Sequence, residues 1–210
     1  MKSIEYPERS EWAEIFKRSG LDYAVLEKKI DSILNAVKNS GDEALIHFTK
    51  EFDNVNLNTI QVSADEIAKA KKNLDPKLKQ AVQIASRNVK KFHLAQKEKV
   101  KRIETMPGVV CWRKSLPISK VGIYIPGGTA PLFSTIIMLA LPAKIAGCQE
   151  IVLCTPPGKD GLVNSAILYT ADLLGVTKIF KVGGAQAIAA MAYGTQSIPA
   201  VITPKNRSVL

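Results

Sequence analysis

Residues 121–158 read VGIYIPGGTAPLFSTIIMLALPAKIAGCQEIVLCTPPG. An apolar run, Val121 to Ile125, stops at Pro126-Gly127-Gly128, and a long apolar segment follows as far as Gly147. A second run, Glu150 to Cys154, stops at Thr155-Pro156-Pro157-Gly158. Short apolar runs bounded by glycine and proline read as strands covered on both faces. The segment between them has the length of a helix, so the pattern predicts strand 121–125, helix 134–146 and strand 150–154. Its most apolar window, Ala130 to Ala143, is too short to span a bilayer and contains two prolines, so it is expected as a buried helix.

The alternation continues outward. Helix 163–174 is stopped by Gly175, strand 178–182 leads through Gly183-Gly184, and helix 185–193 is stopped by Gly194. Three βα units in succession predict a nucleotide-binding-type α/β layer with a parallel sheet. Upstream, Val109–Arg113 and Lys120–Ile125 read as strands joined by a turn at Leu116-Pro117.

The first hundred residues read as mainly helical. Leu26, Ile30, Ile33, Leu34 and Val37 recur at helical spacing within 22–39, with Asn39-Ser40-Gly41 as the stop. A short helix, Asp42 to Phe52, carries His47, which is expected to be packed or half-exposed rather than a ligand. Thr59–Val62 reads as a short strand, and Ser63-Ala64-Asp65-Glu66 has the spacing of a capping box. Asp75-Pro76 opens a further helix with a predicted buried stripe of Leu78, Val82, Ala85, Val89 and Phe92. The expected organisation is a mainly helical region 1–105, a cofactor-binding α/β layer 106–201 and an atypical tail 202–210.

Composition narrows the function. The chain has 210 residues, 46% of them hydrophobic, enough for a buried core. Its N-terminus, MKSIEYPERSEW, carries no apolar run of a secretory signal. Three cysteines without CxxC spacing argue against a disulfide framework and predict a cytoplasmic setting. The net charge of +10 raises the question of a polyanionic partner. Residues 86–102 hold seven Lys/Arg and one Glu at helical spacing, with Phe92 as the sole aromatic, which reads as a solvated helix face. Neither a nucleic-acid partner nor a membrane is expected.

In open parallel sheets ligands bind beyond the carboxyl ends of the strands. Two glycine turns fall at such ends, Pro126-Gly127-Gly128-Thr129 and Gly183-Gly184-Ala185-Gln186. Neither matches GxGxxG or a P-loop, so two readings stand, a phosphate seat or a structural βα corner. Tyr124 and Gln186 are polar groups beside these turns, suited to hydrogen-bond or stack on a nucleotide, or else to pack and cap locally. Cys148 and Cys154 have no base in view and read as buried structural thiols.

GIYIPGGTAPLFSTIIMLALPAKIAGCQEIVLCTPP, together with GVTKIFKVGGAQAIAAMAYGT and the earlier GDEALIHFTKEFD, resembles the histidinol dehydrogenase family over residues 1 to about 200. The resemblance implies an incomplete Rossmann-like parallel sheet with flanking helices, similar to that of aldehyde dehydrogenases. It implies NAD- and zinc-dependent oxidation of L-histidinol to L-histidine through an aldehyde, the last step of histidine biosynthesis, by a homodimer. In the family the tyrosine of YIPGG and the glutamine of GGAQ contact NAD, which implies Tyr124 and Gln186 here. A third contact, an asparagine in Gly-Pro-Gly-Asn, has no match: after Val201 the chain reads ITPKNRSVL, and Asn206 in that context is not carried over. Family members are about twice this length, and the resemblance implies that their zinc ligands and acid/base pair lie in the other half. No catalytic or metal-binding residue is therefore expected in this chain. It is expected to be a truncated, frameshifted or excised N-terminal half, inactive alone, with the alternative of a non-catalytic dinucleotide-binding or assembly module. A sheet ending after its third βα unit is also expected to leave an unpaired edge.

Overall fold

The computed structural model describes residues 4–17, 23–128 and 130–201; Thr129, the tail 202–210 and Asn206 within it lie outside the described residues. A 3-10 turn at Arg9–Glu11 precedes helices α1 (Trp12–Ile15), α2 (Tyr23–Ser40), α3 (Asp42–Asp53), α4 (Ala64–Asn73) and α5 (Pro76–Ala95). Then come strands β1 (Arg102–Met106), β2 (Val109–Trp112) and β3 (Lys120–Tyr124). The chain continues through α6 (Phe133–Ala146), β4 (Glu150–Thr155), α7 (Ser165–Leu174), β5 (Lys178–Lys181) and α8 (Gly184–Tyr193).

Local chemistry sets the helix ends where the sequence predicts them. The Ser63 hydroxyl accepts from the Glu66 N–H, and the Glu66 carboxylate accepts from the Ser63 N–H. Asp75 accepts from the Lys77 N–H with Pro76 at the first helical position. Gly147 and Gly175 close α6 and α7 in the left-handed conformation.

The three main strands form a parallel sheet in the order β3-β4-β5, with Tyr124 beside Cys154 and Cys154 beside Phe180. Period-two alternation sends its side chains into two cores. Ile123, Ile151, Leu153 and Ile179 meet α6 and α7, with α4 and α5 packed outside them. Val152, Cys154, Phe180 and Val182 meet α8, with α2 and α3 behind it. This is an α/β fold with helices on both faces of a parallel sheet. At the amino ends of the strands Glu150 lies 3.1 Å from both Lys120 and Lys178. Burial raises its carboxyl pKa, but hydrogen bonds and charge from the two lysines hold it below its usual value.

Several expectations are corrected. Val109–Trp112 does not pair with β3; it forms an antiparallel hairpin with β1, across the turn at Pro107-Gly108. Thr59–Val62 makes no full strand, only a bridge from Gln61 to Phe180. Around it the Val62 N–H donates to the Ile179 carbonyl and the Lys181 N–H to the Ile60 carbonyl. That short stretch covers the outer edge of β5. On α5 the packed stripe ends at Val89, and Phe92, one turn on, is 63% exposed. Leu26 on α2 is likewise exposed. Helix α6 is buried along Ile136, Ile137, Ala140 and Leu141, whereas Met138 and Leu139 on its other side are exposed. No helix of the described residues is long and apolar enough to cross a membrane.

Candidate functional site

All three carboxyl-end turns meet at Pro156. A Cβ built on Gly127 would lie 2.6 Å from the Pro156 ring, and one on Gly183 would lie 2.8 Å from it. Both approaches are closer than any side chain permits, so these two glycines are required by contact with the β4 turn. The first glycine turn also does not open a helix directly, since Ala130-Pro131-Leu132 intervene before α6. Its contact with Pro156 makes Gly127 a structural corner. Gly127→Ala is expected to destabilise the fold by about 1–3 kcal/mol, read as a lower thermal midpoint; an unchanged midpoint would show that the turn yields freely.

Beside this corner lies a cleft of about 470 Å³ lined by Pro126, Gly127, Gly128, Thr155, Asn164 and Ser165 among others. Asn164 is also the cap of α7, its side-chain carbonyl accepting from the Ala166 N–H. No Lys or Arg is among the described lining residues. An anionic group here would rest on hydroxyls and backbone N–H groups.

The β5–α8 turn is different in kind. Gly183 is the N-cap of α8, so the glycine pair opens a helix directly. The Gly184 N–H donates to the Tyr124 hydroxyl oxygen at 3.0 Å, tying the end of β3 to the start of α8. Because that oxygen accepts, its own proton points elsewhere, and no acceptor for it is found among the described residues. Gln186 is 1% exposed, and its side-chain carbonyl oxygen has no partner. That oxygen lies 2.5 Å from where a Cβ on Gly184 would stand. Gly184, at φ +61°, is therefore held by its backbone conformation and by the glutamine beneath it. Tyr124 and Gln186, predicted separately, thus converge on Gly184, one offering an unused donor and the other an unused acceptor. Neither is among the residues lining the 470 Å³ cleft. Gln186 faces the protein interior in this conformation.

The other candidates fall away from this corner. Cys154 is fully buried and burial pushes its thiol up to about 12, so it is protonated at neutral pH and inert as a nucleophile. Cys148 is only half-buried, against expectation, with its thiol also raised by burial. His47 is exposed on α3 and lies 3.5 Å from Glu51. Thr155, Asn164 and Ser165 are cleft residues that the sequence reading passed over. The signal was the Thr155-Pro156-Pro157-Gly158 turn, a third carboxyl-end turn read only as a connector.

A profile of the histidinol dehydrogenase family matches residues 16–203. The chain belongs to the histidinol dehydrogenase family. It is 53% identical over 201 residues to histidinol dehydrogenase of Bacteroides thetaiotaomicron, covering 96% of this chain and 47% of that protein. The Bacteroides fragilis enzyme is 54% identical over the same length and shares. The crystal structure of histidinol dehydrogenase from Elizabethkingia anophelis superposes with a TM-score of 0.86 at 49% identity, covering 92% of this chain and 45% of that one. The chain thus spans about half the length of the histidinol dehydrogenases it matches. Among the described residues no three His, Cys, Asp or Glu side chains gather closely enough to hold a metal ion. A zinc site does not fit the described residues, and no step through zinc is derived from them.

Proposed function

We propose that residues 106–201 are the dinucleotide-binding layer of a histidinol dehydrogenase. The full enzyme, on this reading, oxidises L-histidinol to L-histidine with NAD as hydride acceptor, as a cytoplasmic homodimer. The acid/base residues and zinc ligands belong to the polypeptide that follows in full-length relatives. The observation that carries the reading is the corner at Gly184. There the unused proton of Tyr124 and the unpartnered carbonyl of Gln186 stand together, where a parallel sheet places its ligand. The N–H groups of Ala185 and Gln186, in the first turn of α8, have no intrahelical acceptor and add donors to the same corner. Tyr124 would donate its hydroxyl proton to the cofactor while its oxygen stays anchored on Gly184. Gln186 would contribute its amide on turning out of the core.

NADH fluorescence titration of the chain tests this. A saturable signal is expected, and Tyr124→Phe should weaken binding by about threefold to tenfold, the equivalent of one hydrogen bond. A signal that does not saturate removes the cofactor role of the chain. Equal affinity in Tyr124→Phe removes the role of that hydroxyl alone.

A further inference from the structure

The 470 Å³ cleft is walled by the turns that follow two neighbouring parallel strands, β3 and β4. The chain carries a net charge of +10, yet Asp160 is the sole charged side chain among the described lining residues. Lys159, its neighbour in sequence, is exposed and does not line the cleft. The polar side chains that join Asp160 there, Thr155, Asn164 and Ser165, are neutral.

The loop after β4 fixes this carboxylate in place. The Leu162 N–H donates to Asp160 Oδ1 at 3.0 Å. The Gly158 N–H donates to the Leu162 carbonyl at 2.8 Å and the Gly161 N–H to the Gly158 carbonyl at 2.9 Å, so residues 158–162 close on themselves. A Cβ built on Gly161 would lie 3.6 Å from Leu57 and 3.7 Å from Val55, which sets the loop against the connection between α3 and α4. With Oδ1 engaged, Oδ2 is an acceptor that has no partner among the described residues.

A carboxylate oxygen accepts from a hydroxyl and repels a phosphate. In βαβ units that hold dinucleotides, an acidic residue beyond the second strand takes the ribose 2′-hydroxyl, whereas an arginine there accommodates a 2′-phosphate. Here β3, α6 and β4 form such a unit, Asp160 follows its second strand, and no Lys or Arg stands among the described lining residues. The cleft also meets the Gly184 corner at Pro156, which lines the one and is pressed by Gly183 from the other. A dinucleotide reaching from the cleft across Pro156 would bring its other end toward Tyr124. Asp160 falls between the two stretches, 122–157 and 175–195, whose motifs carry the family resemblance. On the dinucleotide-binding reading above, we propose that Asp160 sets the choice of cofactor. Its Oδ2 accepts from the 2′-hydroxyl of the adenosine ribose and turns away the 2′-phosphate of NADP.

NADH and NADPH share one fluorescent ring, so paired titrations of the 210-residue chain read the preference directly. The wild type should bind NADH at least about tenfold more tightly than NADPH. Asp160→Asn keeps an oxygen for the Leu162 N–H but removes the charge, so the ratio should fall to about threefold or less, mainly through tighter NADPH binding. Asp160→Ser, a second neutral residue with an oxygen close to the backbone, should do the same and decides the matter if the asparagine variant does not fold. A wild-type ratio near one, or saturable NADH binding with an unchanged ratio in the folded variants, overturns the role of Asp160 and leaves the cofactor reading standing. Equal loss of both cofactors in the variants also overturns it, by making the residue a structural one. A wild type that binds no NADH removes the cofactor reading and the role of Asp160 together.

Discussion

Lys181→Met is expected to lower folding stability by about 3–5 kcal/mol at neutral pH, the range for removing one partner of a buried ion pair. Lys181 is 6% exposed on β5, and its ammonium lies 2.6 Å from the Glu66 carboxylate on α4. Burial raises the Glu66 pKa, but hydrogen bonds and charge from Lys181 and hydrogen bonds from Ser63 outweigh it and hold the group below its ordinary 4.5. A depressed carboxyl pKa contributes stability above the unfolded value and loses it as pH falls through the folded one. The pair is therefore at full strength above about pH 5. The gap in thermal midpoint between wild type and Lys181→Met should narrow as pH drops below 4.5 toward the folded value. Adding Glu66→Gln, which keeps an acceptor for the Ser63 N–H, should recover much of the loss by removing the uncompensated charge. A Lys181→Met midpoint within a degree of wild type at pH 7 would show that the pair is not desolvated as described.

Phe180→Ala should cost about as much, 3–5 kcal/mol, by a different route. The ring is fully buried in the core shared by β4, β5, α8, α2 and α3, among Val152, Cys154, Val182 and Ala187. Its backbone also bridges to Gln61 at the covered sheet edge. Truncation leaves a cavity walled by a sheet on one side and helices on the other, neither of which can close on it cheaply. In a chain of this size such a loss lowers the thermal midpoint by roughly 6–20 °C. Because total stability is typically 5–15 kcal/mol, the variant should stand near the limit of folding. A loss below about 1 kcal/mol would mean that this core relaxes freely, against the two-sided packing described.

The contrast between these residues and the hairpin shows what the sequence makes legible. The βα alternation is readable because each strand is a short apolar run and each helix ends on glycine: Gly147, Gly175 and Gly194. The Ser63–Glu66 and Asp75–Pro76 starts are readable because capping is a local matter of three or four residues. Hairpin β1–β2 is not, since Arg102–Met106 has no buried face and so no alternation to betray it. Only the Pro107-Gly108 turn marks it. Phe92 misleads for the converse reason: its helical spacing is right, but the surface it would cover ends at Val89. At the site, Tyr124 and Gln186 follow from family motifs, yet their meeting at Gly184 is a contact across 60 residues that no local pattern encodes. The same holds for Pro156, whose role depends on two glycines from other turns.

On the proposed function, this chain supplies the dinucleotide-binding half of a histidinol dehydrogenase and the rest of the full-length enzyme supplies the chemistry. The most direct test is NADH formation from L-histidinol and NAD+, followed in zinc-containing buffer. The 210-residue chain is compared with residues 1–201 joined to the C-terminal half of the Bacteroides fragilis relative. Histidinol-dependent NADH formation by the joined protein, with none by the 210-residue chain, is the predicted result. Sustained turnover by the 210-residue chain alone would contradict the division, and so would a folded, NADH-binding joined protein that produces no NADH.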